Sequence, residues 1–186
     1  MILPIVQYGD PILRLQCRPV ETIDVATHAL VADMLETMTG ANGVGLAAPQ
    51  IGVDLQLAVI DVSHDPECVS YLHVNGKAAE IADIMPLVFI NPSLEFSQEK
   101  EFAFEGCLSI QGIRCEVRRP AEIKATLPQL DGSTLVIETD GLLARALQHE
   151  IDHLNGILFV DRLSAVGKVS VKNRLKRLLS GPENPG

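Results

Sequence analysis

The sequence predicts an α+β fold. Three observations carry that prediction: five short β-branched runs lie together in the middle of the chain, helical periodicity flanks them on both sides, and no internal repeat is present. In chain order, Ala26, Leu30, Met34 and Met38 recur at four-residue spacing behind Asp24, a capping residue, and Gly40 is a natural stop. This predicts a helix whose apolar stripe is core. The runs Leu55 to Val62, Leu87 to Ile90, Ile113 to Val117, Ala121 to Leu127 and Thr134 to Ile137 are bounded by Pro, Gly or Asp and predict strands. A second helix is predicted from about Asp140 to Asn155, with Gly156 in the terminating position, and a third from about Ser164 to Ser180. Between Ser63 and Pro86 the pattern assigns no element, and an unassigned stretch of that length is usually a surface excursion or a functional loop. Residues 181–186, rich in glycine and proline, predict a disordered tail, which leaves residues 1–180 as one domain.

With 186 residues, 47% of them hydrophobic, the chain can build a core without disulfide staples. Its four cysteines, Cys17, Cys68, Cys107 and Cys115, lack the dense spacing of a disulfide scaffold. No apolar run is long enough to span a membrane, and Met1 to Asp10 lacks the features of a secretory signal, so the expected location is the cytoplasm, with no membrane partner. A formal charge of -9 argues against general nucleic-acid binding, which needs a basic surface. The segment from Ser164 to Ser180 runs the other way, with five basic residues and no acidic one.

The strongest chemical signal is His149-Glu150-Ile151-Asp152-His153. On a helix, residues four apart share a face, so two imidazoles can bind one metal ion. At about 100° per residue, Leu142, Ala146, His149 and His153 fall in one arc, and Leu143, Leu147, Ile151 and Leu154 in the next. Glu150 projects between them, within reach of a water at the metal. Arg145, Gln148 and Asp152 occupy the opposite, more polar side. A catalytic site needs a third ligand and an open position. A third histidine six residues after the second is excluded, because that position is Phe159. Two candidates remain, and Cys107, beside the flexible Gly106, is placed ahead of Asp161 because a thiolate suits zinc or iron.

Three stretches then occur in order: Gly43-Val44-Gly45-Leu46-Ala47-Ala48-Pro49-Gln50, Glu105 to Ser109, and Gln148 to His153. Together they resemble the signatures of the peptide deformylases, and the likeness extends in weaker form from about Ile5 to Ser164. The resemblance implies an α+β fold in which antiparallel strands enclose a central, metal-bearing helix with the HExxH pattern. It implies hydrolysis of the N-formyl group from the initiator methionine of newly made proteins, releasing formate. Carried over residue by residue, it makes Cys107, His149 and His153 the metal ligands and Glu150 the general base. It assigns oxyanion donors to the Gln50 amide and the Leu108 N–H, and backbone substrate binding to Gly45. Ferrous iron is the implied metal, with zinc, nickel or cobalt able to substitute. Glu105 and Arg119 are expected to form a supporting ion pair. Gln111 departs from the proline of many bacterial relatives, which predicts a looser segment after the cysteine.

Val44, Leu142 and Ala146 are placed to line a methionine pocket, and Arg114 to contact the peptide backbone. A peptide could add a strand beside Gly43 to Gly45. The rival readings are a zinc peptidase, a structural metal module with Cys115 as fourth ligand, and a thiol hydrolase using Cys107. In the last helix Val171, Leu175 and Leu178 form an apolar stripe, with Lys168, Lys172 and Lys176 on another face. The plain reading is a docked helix with a solvated face. The family resemblance adds an electrostatic contact with the ribosome.

Overall fold

Helix α1 (Val25–Gly40) begins where the sequence predicts, because Asp24 accepts the Thr27 N–H at 2.9 Å and Thr27 turns its hydroxyl back to the Asp24 N–H. Its buried stripe differs from the predicted one: Thr27, Val31, Met34 and Met38 face inward, whereas Ala26 is exposed and Leu30 half-buried. A strict four-residue step drifts by about 40° each time, so only alternating steps of four and three hold one face against the core. The computed structural model describes residues 1–65 and 68–180; the tail predicted over 181–186 lies outside the described residues.

Three antiparallel sheets follow. Strands β1 (Gly45–Ala47) and β2 (Leu57–Ile60) pair with β5 (Leu87–Ile90) in the order β1-β2-β5, leaving β1 at an edge. The second sheet joins β3 (Leu72–Val74), β4 (Lys77–Ala78), β6 (Ser93–Phe96), β9 (Ile123–Pro128) and β10 (Thr134–Thr139) in the order β4-β3-β10-β9-β6. The third is a long hairpin of β7 (Lys100–Cys107) and β8 (Ile110–Pro120), with a bulge between Glu105 and Cys107.

The segment from Ser63 to Pro86, to which the sequence pattern assigns no element, contains β3, β4 and the short helical turn Ile81–Asp83. Asn75 and Gly76 both take positive φ between β3 and β4, the backbone that a two-residue hairpin requires and that an Asn-Gly pair supplies. Gln111 lies inside β8, exposed, in a strand that begins one residue earlier.

Helices α2 (Gly141–Leu154) and α3 (Ala165–Ser180) match the predicted boundaries within a residue or two. Asp140 does not cap α2 with its side chain. Its carboxylate instead accepts the N–H groups of Ser70, at 2.8 Å, and Tyr71, fixing the start of the helix to the neighbouring segment. Gly156 has φ 70° just past the end, a left-handed conformation that stops the helix.

The β1-β2-β5 sheet lies between the two helices. Ala58, Ile60, Leu87 and Phe89 pack toward Leu143, Leu147 and Ile151 of α2, and Leu57, Val59 and Ile90 toward Met34 and Met38 of α1. A third cluster joins Ile113 and Val117 of β8 to Phe159, Leu163 and Val171, with Leu175 and Leu178 of α3 half-buried against it. Lys168, Lys172 and Lys176 are exposed on the other face, as the solvated-face reading expects. Among the described residues no helix is long and apolar enough to cross a membrane.

Candidate metal centre and active site

Helix α2 presents His149 and His153 one turn apart, and the end of β7 brings Cys107 against them. One ligand atom from each of the three lies within 4.8 Å of the others, and Cys107 Sγ is 3.2 Å from His153 Nε2. His149 Nδ1 meets Glu105 Oε2 at 3.0 Å. The Glu105 carboxylate can only accept, so Nδ1 carries a proton there, and Nε2 is the ring nitrogen left to serve as a ligand atom. His153 Nδ1 is buried without a hydrogen-bond partner among the described residues. One thiol and two imidazoles are a donor set of the softness that zinc or ferrous iron takes, with a position left open, so the residues fit a catalytic divalent metal. The alternative ligand, Asp161, points elsewhere: it pairs with Arg14 and accepts the Leu158 N–H at 2.8 Å. Cys115, the fourth ligand of the structural-module reading, is buried in the apolar cluster under β8 and is not part of the triad.

Glu150 is 3% exposed, and its Oε2 has no hydrogen-bond partner among the described residues. Burial, aided by the charges of Glu105 and Asp152 and opposed by His149 and Arg119, pushes its carboxyl up to about 7. A side chain at position 45 would collide with it. A Cβ on Gly45 would lie 2.3 Å from Glu150 Oε1, so glycine is what lets β1 pass over the carboxylate.

Gln50 is oriented from both ends. Its Oε1 accepts the Ala47 N–H at 2.9 Å, which turns Nε2 toward Ser109 Oγ at 3.2 Å and Cys107 Sγ at 3.4 Å. Leu108 follows the cysteine in the turn between β7 and β8, its carbonyl accepting from Gln7 at 3.2 Å. A cavity of about 410 Å³ opens over these groups, lined by Val44, Gly45, Gln50, Cys107, Leu108, Arg114, Leu142, Ala146, His149 and Glu150. Every predicted site residue except His153 therefore borders one space, and His153 lies buried beneath it against the thiol.

The polar side of α2 is not solvated. Arg145, Gln148 and Asp152 are all buried, and two of them join a continuous ionic network. Glu105 binds Arg119 through both oxygens, at 2.8 Å on the Oε2 side, and Arg145 at 2.8 Å. Arg119 reaches Asp152 at 2.7 Å, and Arg162 closes on the same carboxylate. Burial works against the charge of Glu105, but hydrogen bonds from Arg119 and His149 outweigh it and hold its carboxyl well below the usual carboxylate range. The same bond and that to Cys107 raise His149 well above its ordinary value against the opposing effect of burial. Burial and the neighbouring His149 depress His153.

Sequence reasoning found the Glu105–Arg119 pair but missed Ser109, the arms of the network through Arg145, Asp152 and Arg162, and Phe159, whose ring stacks on His149 with centroids 6.1 Å apart. The available signal was the helix itself. With one face apolar and the next chemical, charges on its third face need either water or fixed partners, and Glu101 and Glu105 of β7, Arg119 of β8 and Arg162 supply the second.

A family model described as polypeptide deformylase matches residues 2–169. The chain is 46% identical over 181 residues to a peptide deformylase of Methylacidiphilum infernorum, covering 97% of this chain and 95% of that one. It is 44% identical over 177 residues to a peptide deformylase of Rhizobium meliloti, covering 95% and 93%. A crystal structure of a peptide deformylase from Legionella pneumophila matches all of both chains with a TM-score of 0.79 and 38% identity. On a site built from all three signature stretches, and on likeness that spans nearly the whole length, the chain belongs to the polypeptide deformylase family.

Proposed function

We propose that this chain is a metal-dependent peptide deformylase, which hydrolyses the N-formyl group from the initiator methionine of newly made proteins and releases formate. Family membership supports the reaction. The observation that carries the residue assignment is the unpartnered Glu150 Oε2, buried beside a three-ligand set at the floor of the cavity. Residues 1–180 act as one catalytic domain, with α2 as its metal-bearing centre.

Cys107, His149 and His153 would hold one divalent ion, ferrous iron in our reading, with zinc, nickel or cobalt able to take its place. When bound, that ion supplies Lewis acidity and lowers the proton affinity of water at the site. Glu150 Oε2 accepts the proton of the attacking water as its oxygen bonds to the formyl carbon. The negative charge that develops on the formyl oxygen is met by the Gln50 amide and the Leu108 N–H, donors that are typically worth about 3 to 4 kcal/mol each. As the C–N bond breaks, Glu150 returns the proton to the leaving amine.

Val44, Leu142 and Ala146 form the wall that takes the unbranched methionine side chain. Among the described residues β1 pairs on one side alone, with β2, and its start lines the cavity, so an extended peptide can add itself beside Gly45 through main-chain bonds. Arg114, exposed at the rim, is positioned to bond peptide carbonyls. Main-chain recognition leaves later residues of the substrate free to vary.

The test is formate release from formyl-Met-Ala-Ser together with metal content, before and after anaerobic chelation and readdition of ferrous iron. Activity that vanishes with the metal and returns with iron is the expected result. Formate release that survives complete chelation would instead favour Cys107 as a nucleophile. The exposed lysines of α3 carry a second reading, supported by their separation from the apolar stripe: contact with the ribosome, in the cytoplasm. Deleting residues after Leu163 should then weaken a salt-dependent association; unchanged binding would refute it.

A further inference from the structure

Of the five phenylalanines, Phe89 and Phe159 are fully buried, whereas Phe96, Phe102 and Phe104 are 57%, 60% and 64% exposed. Phe102 and Phe104 stand two apart on β7 and so share its outward face, the opposite of the pattern that burial would produce. Across the hairpin they oppose Arg118 and Glu116, and the Arg118 guanidinium lies 5.7 Å from the centre of the Phe102 ring. The inward face of the same strand is pinned through Glu105 to Arg119 and Arg145, so the stripe rides on a rigid platform. Phe104 also borders the substrate cavity, next to Gly106 and Arg114.

We propose that Phe104 and Phe102 form an extended substrate subsite that favours apolar or aromatic side chains at the third to sixth positions of the formylated chain, an inference that rests on the deformylase reading above. The placement follows from strand geometry. At about 3.3 Å per residue, Phe104 lies roughly 10 Å and Phe102 roughly 17 Å along β7 from Cys107. A peptide whose formyl group sits over Cys107 and which leaves the cavity extended brings its third or fourth residue over Phe104 and its fifth or sixth over Phe102. Side chains alternate in both strands, so alternate residues of the substrate meet the two rings. A second copy of this chain is a poorer occupant. Two half-exposed rings supply far less than the roughly 1,200 Å² that a stable protein interface buries, and the stripe is continuous with the cavity.

The test compares kcat/KM for formyl-Met-Ala-Ser-Ser-Ser-Ser with the two peptides carrying leucine at positions three and five, or at four and six. Covering part of one or two rings, offset by the ordering of the peptide, should favour one leucine register by roughly fivefold. The preference should fall to about twofold in Phe102→Ser or Phe104→Ser alone and to about one when both are changed; both side chains are exposed. Equal rates for all three peptides in the unaltered protein, or a preference that survives both substitutions, would overturn the subsite. So would a dimer in sedimentation that Phe102→Ser dissociates, which would assign the stripe to a second copy. Absence of formate from every peptide would remove the deformylase reading, and the subsite with it.

Discussion

Replacing Gly45 with alanine isolates one geometric relation, the passage of β1 over the Glu150 carboxylate. The added methyl would stand 2.3 Å from Oε1 and 2.7 Å from Cδ, whereas real contacts of this kind essentially never fall under 3.0 Å. Gly45 does not occupy the left-handed region, so alanine suits the backbone and the effect is one of space alone. Because β1 is tied to β2 in register from Gly45 to Ala47, the side chain is the partner that moves, by roughly 0.7 to 1 Å. A displacement of that size in a reacting group costs about a hundredfold in rate. The expected result in a formate-release assay is therefore a loss of about two decades in kcat/KM, with metal still bound at one ion per chain. Gly43→Ala is the control. Its methyl would meet the flexible end of the Leu108 side chain at 2.8 Å, which can yield, so its rate should stay within about fivefold of the unaltered protein. Activity of Gly45→Ala within threefold of the unaltered protein would refute the placement of Glu150 as the group that moves the proton.

Glu150→Gln should retain the metal and lose about 10²- to 10⁴-fold in turnover; a metal-loaded variant with normal formate release would remove Glu150 from the reaction. Arg119→Met leaves Glu105 and Asp152 buried and undercompensated, and should lower unfolding free energy by about 3 to 5 kcal/mol in a denaturant titration, against under 1 kcal/mol if the network were solvated. Asp140 supplies a pH dependence. Burial opposes its charge, but bonds from Ser70 and Tyr71 prevail and depress its carboxyl, so its contribution is present above the ordinary carboxylate range and is lost as pH falls through the depressed value. Asp140→Asn should thus be less stable than the unaltered protein at pH 7 and equal to it in strong acid, a convergence that urea midpoints at the two pH values would detect.

The helices were legible because their ends carry local chemistry: Asp24 at the start of α1, Gly156 beyond α2, and the apolar stripe of α3. β5 was read at its observed bounds, since Leu87 to Ile90 is a short β-branched run buried through most of its length. β1 escaped because three residues make no pattern, and β7 because its patterning is inverted, with phenylalanines outward and Glu105 inward. The unassigned stretch before Pro86 held a usable signal in Asn75-Gly76. In the site, helical spacing alone placed His149, Glu150 and His153 together. It could not choose between Cys107 and Asp161, because that choice depends on how a hairpin from elsewhere in the chain docks against α2. Ligand chemistry put the cysteine first, family likeness supported it, and the geometry sends Asp161 to Arg14. The outer arms of the ionic network were invisible for the same reason: Arg145 and Asp152 read as surface residues until β8 covers them.

That network also constrains how the chain can change over generations. Glu105, Arg119, Arg145 and Asp152 each satisfy more than one neighbour in a space closed to water, so any single exchange strands an opposite charge and the intermediate sequence is the least fit of the series. Drift is thereby directed away from the floor and toward the rim, where Arg114, Phe104 and Phe102 stand in solvent and a single replacement strands no buried charge.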